Sequence, residues 1–345
     1  MRLFADLSEL RAMRLCCLVQ NMQPARRERP VIAILNQDCR DWMRTQSAGL
    51  VDCVVTSPPY NLGITYQSYE DKLPRDRYLA WLGDVFDDLH RVLRPDGHFF
   101  LNVGYSNTDP WVDVDVLLVA RKRFVLQNRI CWVKSVSIDT ETFGHFKPIS
   151  SGRYVTPTHE MVFHLTKTGD VPIDRSAVGV PYKWKSNLDK RSRMRGRLAK
   201  KFGYAGWLDF EARAPKRERE RLDRELDARV KRLGVVNDRR CRGNSWFLPY
   251  DTIRDRDSDR GSHPATFPVA LPEMCIRLAG CPAGSLVFDP FVGSGTTMIA
   301  ARAAGMLGVG TDIDRRYVAH ALKRLQQAAT GNVSEPAGVR RRAVR

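Results

Sequence analysis

Two short stretches of the chain hold residue types that could do chemistry. The first, Thr56-Ser57-Pro58-Pro59-Tyr60-Asn61, follows an apolar run and halts it with two consecutive prolines. Pro58 and Pro59 carry no backbone N–H, and an X-Pro-Pro segment is held extended, so the loop presents carbonyl oxygens in a fixed direction. Such a loop suits the hydrogens of an amine. Tyr60 adds a flat face on which a planar ring could stack. The same residues also fit a rigid turn in which Tyr60 is a packing plug.

The second stretch, Asp289-Pro290-Phe291-Val292-Gly293-Ser294-Gly295, closes a buried strand on an acid and opens a helix near Thr296. Glycine lets a ligand approach the backbone there. The following strand ends on Asp312, 17 residues beyond Gly295, where an acid would accept hydrogen bonds from ribose hydroxyls. The spacing is not G-x-G-x-x-G, which disfavours a dinucleotide, and the lysine of a P-loop is missing. The plain alternatives are a tight strand-to-helix turn for Gly293 and Gly295, and a helix N-cap before Arg315-Arg316-Tyr317 for Asp312.

With the two loops in this order and a basic region between them, the chain resembles the beta-class DNA amino-methyltransferases, which use S-adenosylmethionine to methylate exocyclic nitrogens. The likeness runs from about residue 30 to 328. "HPATFP" (263–268), "GNSWFLP" (243–249) and "THEMVFHLTK" (158–167) are also similar to members of that family. The resemblance implies an α/β, Rossmann-like methyltransferase fold with a mostly parallel central sheet, circularly permuted motif order and a basic target-recognition insertion.

The same resemblance assigns roles. Ser57, Pro58, Pro59 and Tyr60 form the catalytic loop: the Ser57 side chain and the Pro58 carbonyl accept the hydrogens of the target amine, and Tyr60 stacks on a base flipped out of the duplex. Asp289, Phe291, Gly293 and Gly295 hold the methionine part of S-adenosylmethionine and Asp312 its ribose. His263, Pro264, Thr266, Phe267 and Pro268 line the same pocket. No metal is expected. His159 and Glu160 are left outside the site as strand residues. Serine before Pro-Pro-Tyr is commoner in cytosine-N4 enzymes, whereas adenine-N6 enzymes usually carry Asp. Asn61 is familiar from the adenine enzymes, so N6-adenine methylation is the alternative, with a non-catalytic DNA-binding relative behind it and a dehydrogenase remote. A five-position cytosine enzyme would need a cysteine nucleophile after a proline, and no cysteine sits in that context. Glutamine methyltransferases share a Pro-Pro-Tyr loop but place their cofactor loop first.

These loops need a frame to aim them. "PVIAILNQDCRDWM" is expected to be a strand, a turn and a helix start, "LVDCVV" a second buried strand, and residues 74–97 a helix with proline at its first position and Pro-Asp-Gly as its stop. "HFFLNV" then forms a strand, residues 111–123 an amphipathic helix and "RICWVK" another strand. Helix and strand alternate again from "PVALPEMCIRLAG" through "RRYVAHALKRLQQAA". Such alternation implies a largely parallel sheet covered by helices.

Charge divides the chain. Its net charge is +17 with a pI near 9.8, a balance expected of a protein that meets a polyanion. Residues 166–245 carry 23 Lys and Arg against 11 Asp and Glu, a surplus of 12. This region is expected to recognise double-stranded DNA, with Lys183, Lys185, Lys190, Arg191, Arg193, Arg195 and Arg197 as phosphate and base contacts. The stripe Leu222, Leu226, Val230 and Leu233 within "KRERERLDRELDARVKRLG" predicts a helix with a narrow apolar seam, and a merely solvated charged face is the alternative for that helix.

The expected organisation is therefore an N-terminal extension (1–28), the catalytic half of a methyltransferase domain (29–165), the basic target-recognition region (166–245), the cofactor-binding half (246–330) and a basic tail (331–345). The extension is expected to be poorly ordered, with Met13 and Met22 as alternative starts. Eight cysteines without a C-x-x-C pair argue against structural zinc and a disulfide framework, and suit a reducing compartment. No apolar run reaches the roughly 18 residues of a membrane span. Cytoplasmic placement on the nucleoid is the matching expectation, and the family implies homodimers as one assembly state.

Overall fold

The structure is a computed structural model that describes residues 3–4, 30–64, 70–149, 151–181, 190–232, 239–249 and 266–329. In chain order the elements are β1 (Leu3–Phe4), β2 (Ile32–Asn36), α1 (Cys39–Thr45), β3 (Val51–Thr56), α2 (Arg75–Val92), β4 (Leu93–Val103), α3 (Val112–Ala120) and β5 (Val125–Val133). There follow β6 (Val136–Ile138), β7 (Glu141–Phe143), β8 (His159–Thr166), β9 (Val180–Pro181), α4 (Lys190–Lys201), α5 (Trp207–Arg213), α6 (Lys216–Arg232), β10 (Arg239–Arg240) and β11 (Ser245–Phe247). The last are α7 (Ala270–Ala279), β12 (Leu286–Asp289), α8 (Thr296–Ala303), β13 (Leu307–Asp312) and α9 (Arg315–Ala329). Two compact units result: residues 1–174 with 243–345, and residues 175–242.

The larger unit is built on a nine-stranded sheet in the order β1-β2-β13-β12-β3-β4-β8-β5-β11. Every neighbouring pair is parallel except β4–β8 and β8–β5. The central strands read as nearly unbroken apolar runs because parallel strands are buried on both faces. Of β12, all four residues are buried, and of β3, only Asp52 is partly exposed. Tyr78, Leu82, Val85, Phe86, Leu89 and Val92 of α2 are buried at helical spacing, in one core with Phe99, Leu101 and Val103 of β4. This is the Rossmann-like, mostly parallel architecture expected of the sequence.

Strand direction decides where chemistry can gather. β2, β13, β12, β3 and β4 run parallel, so the segments after their carboxyl ends share one edge of the sheet. β8 runs antiparallel to β4 and brings its first residues, His159 and Glu160, to that same edge, where Val103 faces Met161.

Three local expectations are corrected. Pro74 is the residue before α2 and not its first helical residue, and the helix ends at Val92 before reaching Pro-Asp-Gly. Leu93 already pairs with Val51, and the next pair is His98 with Cys53, so residues 94–97 form a bulge that absorbs Pro95 and Gly97. Finally, α3 is not amphipathic: Val112, Val116 and Ala120 are buried, yet Val114 and Leu118 are exposed along with Trp111 before it.

The smaller unit holds three helices around its own core. Leu198 and Ala199 of α4, Phe210 of α5, Ala214, and Leu222 and Leu226 of α6 are buried together, with Trp207 and Tyr204 packed beside them. The expected seam of α6 is thus apolar packing at Leu222 and Leu226. Val230 falls where side chains are outside the described residues, as does Leu233.

Candidate active site

β3 ends on Thr56, whose hydroxyl donates to Asp289 Oδ1 at 2.6 Å across 233 positions of chain. That bond joins the two loops singled out in the sequence. Ser57 comes next, its Oγ 2.7 Å from the Tyr60 hydroxyl. The Pro59 carbonyl accepts from the Tyr78 hydroxyl of α2 at 2.7 Å, which fixes the proline turn against a buried helix.

Tyr60 is half-buried and its hydroxyl is heavily engaged. It receives the Asn102 amide N–H at 2.8 Å and donates to Glu160 Oε2 at 3.2 Å. Asn102 also donates to that same Glu160 oxygen at 2.8 Å. Lys134 at the end of β5 pairs with the other oxygen, Oε1, and both partners are largely buried. Glu160, left outside the site on sequence grounds, therefore belongs to it, because the antiparallel β8 delivers its start to the loop edge.

Beyond Tyr60 the chain turns through Asn61 at φ 58, in the left-handed region that Asn tolerates better than most residues. The buried Asp71 anchors this turn: its carboxylate accepts the backbone N–H groups of Asn61 (2.8 Å), Leu62 (3.1 Å) and Ile64 (3.0 Å). The Asn61 side chain closes the other side, exchanging hydrogen bonds with the backbone of Leu73 at 2.7 and 2.8 Å.

The loop after β12 is held by β13 and α9: Thr311 Oγ1 donates to the Pro290 carbonyl at 2.9 Å and Arg324 to the Ser294 carbonyl at 2.6 Å. Gly293 donates its N–H to Asp312 Oδ2 at 3.0 Å, and Gly295, at φ 79, precedes α8. A side chain at Gly295 would strain that backbone and run into Ala321 at 2.9 Å. Asp312 Oδ1 accepts from Asp314 N–H at 2.8 Å, while Asp314 caps α9 by accepting from Arg316 N–H at 2.8 Å. Asp314, and not Asp312, is thus the N-cap, and each Asp312 oxygen keeps acceptor capacity. Burial pushes the Asp289 carboxyl up to about 6, against the hydrogen bonds from Thr56, Thr297 and the Phe291 amide that favour its charge. Burial likewise pushes Asp312 up to about 6.

A single cleft connects the loops. Ser57 and Pro59 line it from one side, Phe291, Gly293 and Asp312 from the other, and Thr266 and Phe267 from the segment before α7. Residues the sequence did not nominate also line it: Gln37, Asp38 and Cys39 in the turn after β2, Trp81 of α2, and Tyr317 of α9. The Trp81 and Phe291 ring centroids lie 5.6 Å apart. Pro58, Asp289 and Pro268 are buried behind the cleft wall.

Residues 51–323 match the model of the N6/N4 methyltransferase family, described as DNA methylase. The chain belongs to that family. Among curated relatives this DNA methylase is 24% identical to the DNA adenine methyltransferase YhdJ of Escherichia coli (strain K12), over 93% of this chain and 91% of the relative. It is 26% identical to the type II methyltransferase M.SmaI of Serratia marcescens, over 90% of this chain and 93% of the relative. Its fold is similar to that of the PvuII cytosine-N4-specific DNA methyltransferase, with a TM-score of 0.55 and 16% identity over 88% of this chain and 95% of that one. It is also similar to a Thermus thermophilus protein solved with S-adenosyl-L-methionine, with a TM-score of 0.51 and 21% identity over 87% and 96% of the two chains.

His263 and Pro264 lie outside the described residues, as do Lys183 and Lys185. Lys190, Arg191 and Arg193 fall on α4, where their side chains are outside the described residues. Arg197 is exposed, whereas Arg195 is half-buried with its guanidinium 4.9 Å from the Trp207 ring centre, so it takes part in the packing of its own unit. Cys53 is fully buried in β3 and burial pushes its thiol well up, which makes it no nucleophile. Among the described residues no group of acids, histidines and cysteines could hold a metal, and no helix is long and apolar enough to cross a membrane.

Proposed function

We propose that this DNA methylase transfers a methyl group from S-adenosylmethionine to the exocyclic N4 amine of a cytosine flipped out of duplex DNA. The observation that carries the reading is the Thr56–Asp289 hydrogen bond, with Ser57 and Asp312 lining one cleft on either side of it. The donor set fits the cofactor: a carboxylate with spare acceptor capacity suits a ribose diol, and Trp81, Phe291 and Tyr317 suit a purine. Asp312 would hold the ribose and Phe291 and Gly293 the methionine end, with Thr266 and Phe267 closing the pocket. When bound, S-adenosylmethionine supplies a methyl carbon made electrophilic by its sulfonium.

The protein's own share is placement and charge. The target amine is a poor nucleophile because its lone pair is delocalised into the ring, so orientation supplies much of the acceleration. Ser57 Oγ accepts one amine hydrogen and favours the charge that develops on nitrogen. Tyr60 holds the base. The smaller unit, with 22 Lys and Arg against 9 Asp and Glu between residues 175 and 242, grips phosphates and reads base edges.

Serine at position 57 supports cytosine N4. Asn61 and the adenine activity named for YhdJ support N6-adenine as the second reading. Nucleosides released from DNA treated with the protein and S-adenosylmethionine decide between them by mass and retention: N4-methylcytosine is expected, and N6-methyladenine alone would replace the first reading with the second.

A further inference from the structure

Ser57 is a weak base, and a serine hydroxyl by itself gives the amine proton nowhere to go. We propose that Glu160 is the terminal proton acceptor of the reaction, reached from Ser57 through the Tyr60 hydroxyl. This rests on the reading of residues 56–61 as the catalytic loop. Asn102 donates to the Tyr60 oxygen at 2.8 Å, and the single Tyr60 proton has three acceptors in reach: Ser57 Oγ at 2.7 Å, Glu160 Oε2 at 3.2 Å and the Asn102 carbonyl at 3.4 Å. Either hydroxyl of the Ser57–Tyr60 pair can donate. When Tyr60 donates to Glu160, Ser57 donates to Tyr60, and Ser57 Oγ, Tyr60 Oη and Glu160 Oε2 stand in series with each hydroxyl aimed at the next.

The proton balance is simple. Methylation leaves the amine nitrogen with one proton in excess. Its N–H bond breaks as an O–H bond forms at Ser57 Oγ, the Ser57 proton passes to Tyr60 Oη, and the Tyr60 proton passes to Glu160 Oε2. The carboxylate ends as a neutral carboxyl and returns its proton to solvent after product leaves. Drawing the proton off as the new carbon–nitrogen bond forms lowers the charge on nitrogen, so the relay acts in the rate-determining step. The surroundings fit a carboxylate that must stay ionised and in place. Lys134 pairs with Oε1, Asn102 donates to Oε2, and Gly104 leaves room, since a Cβ there would lie 2.9 Å from the Glu160 carboxyl carbon. A side-chain acid aimed at the loop from β8 thus does for a serine enzyme what an ionised aspartate at position 57 would do directly.

Glu160 touches no substrate, so it is a positioning and relay residue, and its test must separate that from structural support. Single-turnover transfer of tritiated methyl to unmethylated DNA is measured for the wild type, Glu160→Gln, Glu160→Asp and Tyr60→Phe. The expected result is a roughly 100-fold slower rate for Glu160→Gln, with dissociation constants for S-adenosylmethionine and DNA within about threefold of wild type. Glu160→Asp recovers part of the rate. Tyr60→Phe is slowed comparably, and combining it with Glu160→Gln costs nothing further, because both break one chain. In the wild type the rate falls in heavy water, which reports the relay even if Glu160→Gln fails to fold. A Glu160→Gln rate within threefold of wild type, additive losses, or no solvent isotope effect would overturn the relay while leaving the methyltransferase reading intact. A wild type that transfers no methyl to any DNA would overturn that reading, and the relay with it.

Discussion

The loop at 56–61 and the loop at 289–295 meet at one hydrogen bond, yet they are held by different parts of the chain. The first is fixed by side chains arriving from elsewhere: Tyr78 on the Pro59 carbonyl, Asp71 on three amides after Tyr60, and Asn102 and Glu160 on the Tyr60 hydroxyl. The second is held from the chain that follows it: Val292 N–H donates to Thr311 O at 3.0 Å, Gly293 N–H to Asp312 Oδ2 at 3.0 Å, and Arg324 to the Ser294 carbonyl at 2.6 Å, while Gly295 N–H closes a turn on Val292 O at 2.8 Å. The supports of the first loop come from α2, β4, β8 and the segment around Asp71, and those of the second from β13 and α9, so a substitution among one set leaves the other set in place.

Three measurements separate the roles of the two loops. The largest effect is expected for Tyr60→Ala, which removes the ring and the relay at once. Turnover falls by at least about 100-fold, while the dissociation constant for S-adenosylmethionine in equilibrium dialysis stays within about threefold. Equal losses in both would mean that the two loops are one mechanical piece. Next comes Asp312→Ala, which removes the acceptors proposed for the ribose and is expected to raise that dissociation constant about tenfold, with turnover at saturating cofactor little changed. An unchanged constant removes Asp312 from the ribose.

The smallest effect concerns the ligand-free protein. Burial raises the folded-state Asp312 carboxyl to about 6, above its unfolded value, so its contribution to stability is present at low pH and is lost as pH rises through about 6. Asp312→Asn escapes that loss. At pH 7.5 the variant is expected to melt about 2–4 °C higher than wild type by calorimetry, and the gap closes as pH falls toward about 4. A gap of the same size at both pH values would show that the charge at position 312 is not what the fold tolerates for the ligand's sake.

Much of this was legible before any coordinate. Pro58 and Pro59 can end a strand in few ways, and a glycine pair between an acidic strand end and a helix start dictates its turn locally. The stripe of α2, from Tyr78 to Val92, declared its buried face through periodicity alone. The bulge at 94–97 was not legible, because Pro-Asp-Gly marks a turn in isolation and only pairing with β3 showed that the ladder resumes across it. Glu160 was invisible for a similar reason. Its neighbours in sequence, His159 and Met161, describe an ordinary strand, and nothing local states that β8 runs against β4.

Sequence alone therefore determined the residue types, the order of the two loops, the concentration of positive charge between them and the class of fold. Those properties are written in short windows, where proline, glycine and apolar spacing act through local sterics and burial. Tertiary structure decided which acids serve the site. Asp312 was separated from the capping role that Asp314 fills, Asp71 was recruited to hold a turn, and Glu160 was carried to the Tyr60 hydroxyl. Hydrogen bonds act over about 3 Å, and 100 positions of chain separate Tyr60 from Glu160; only the direction and register of the strands between them brings those atoms within reach.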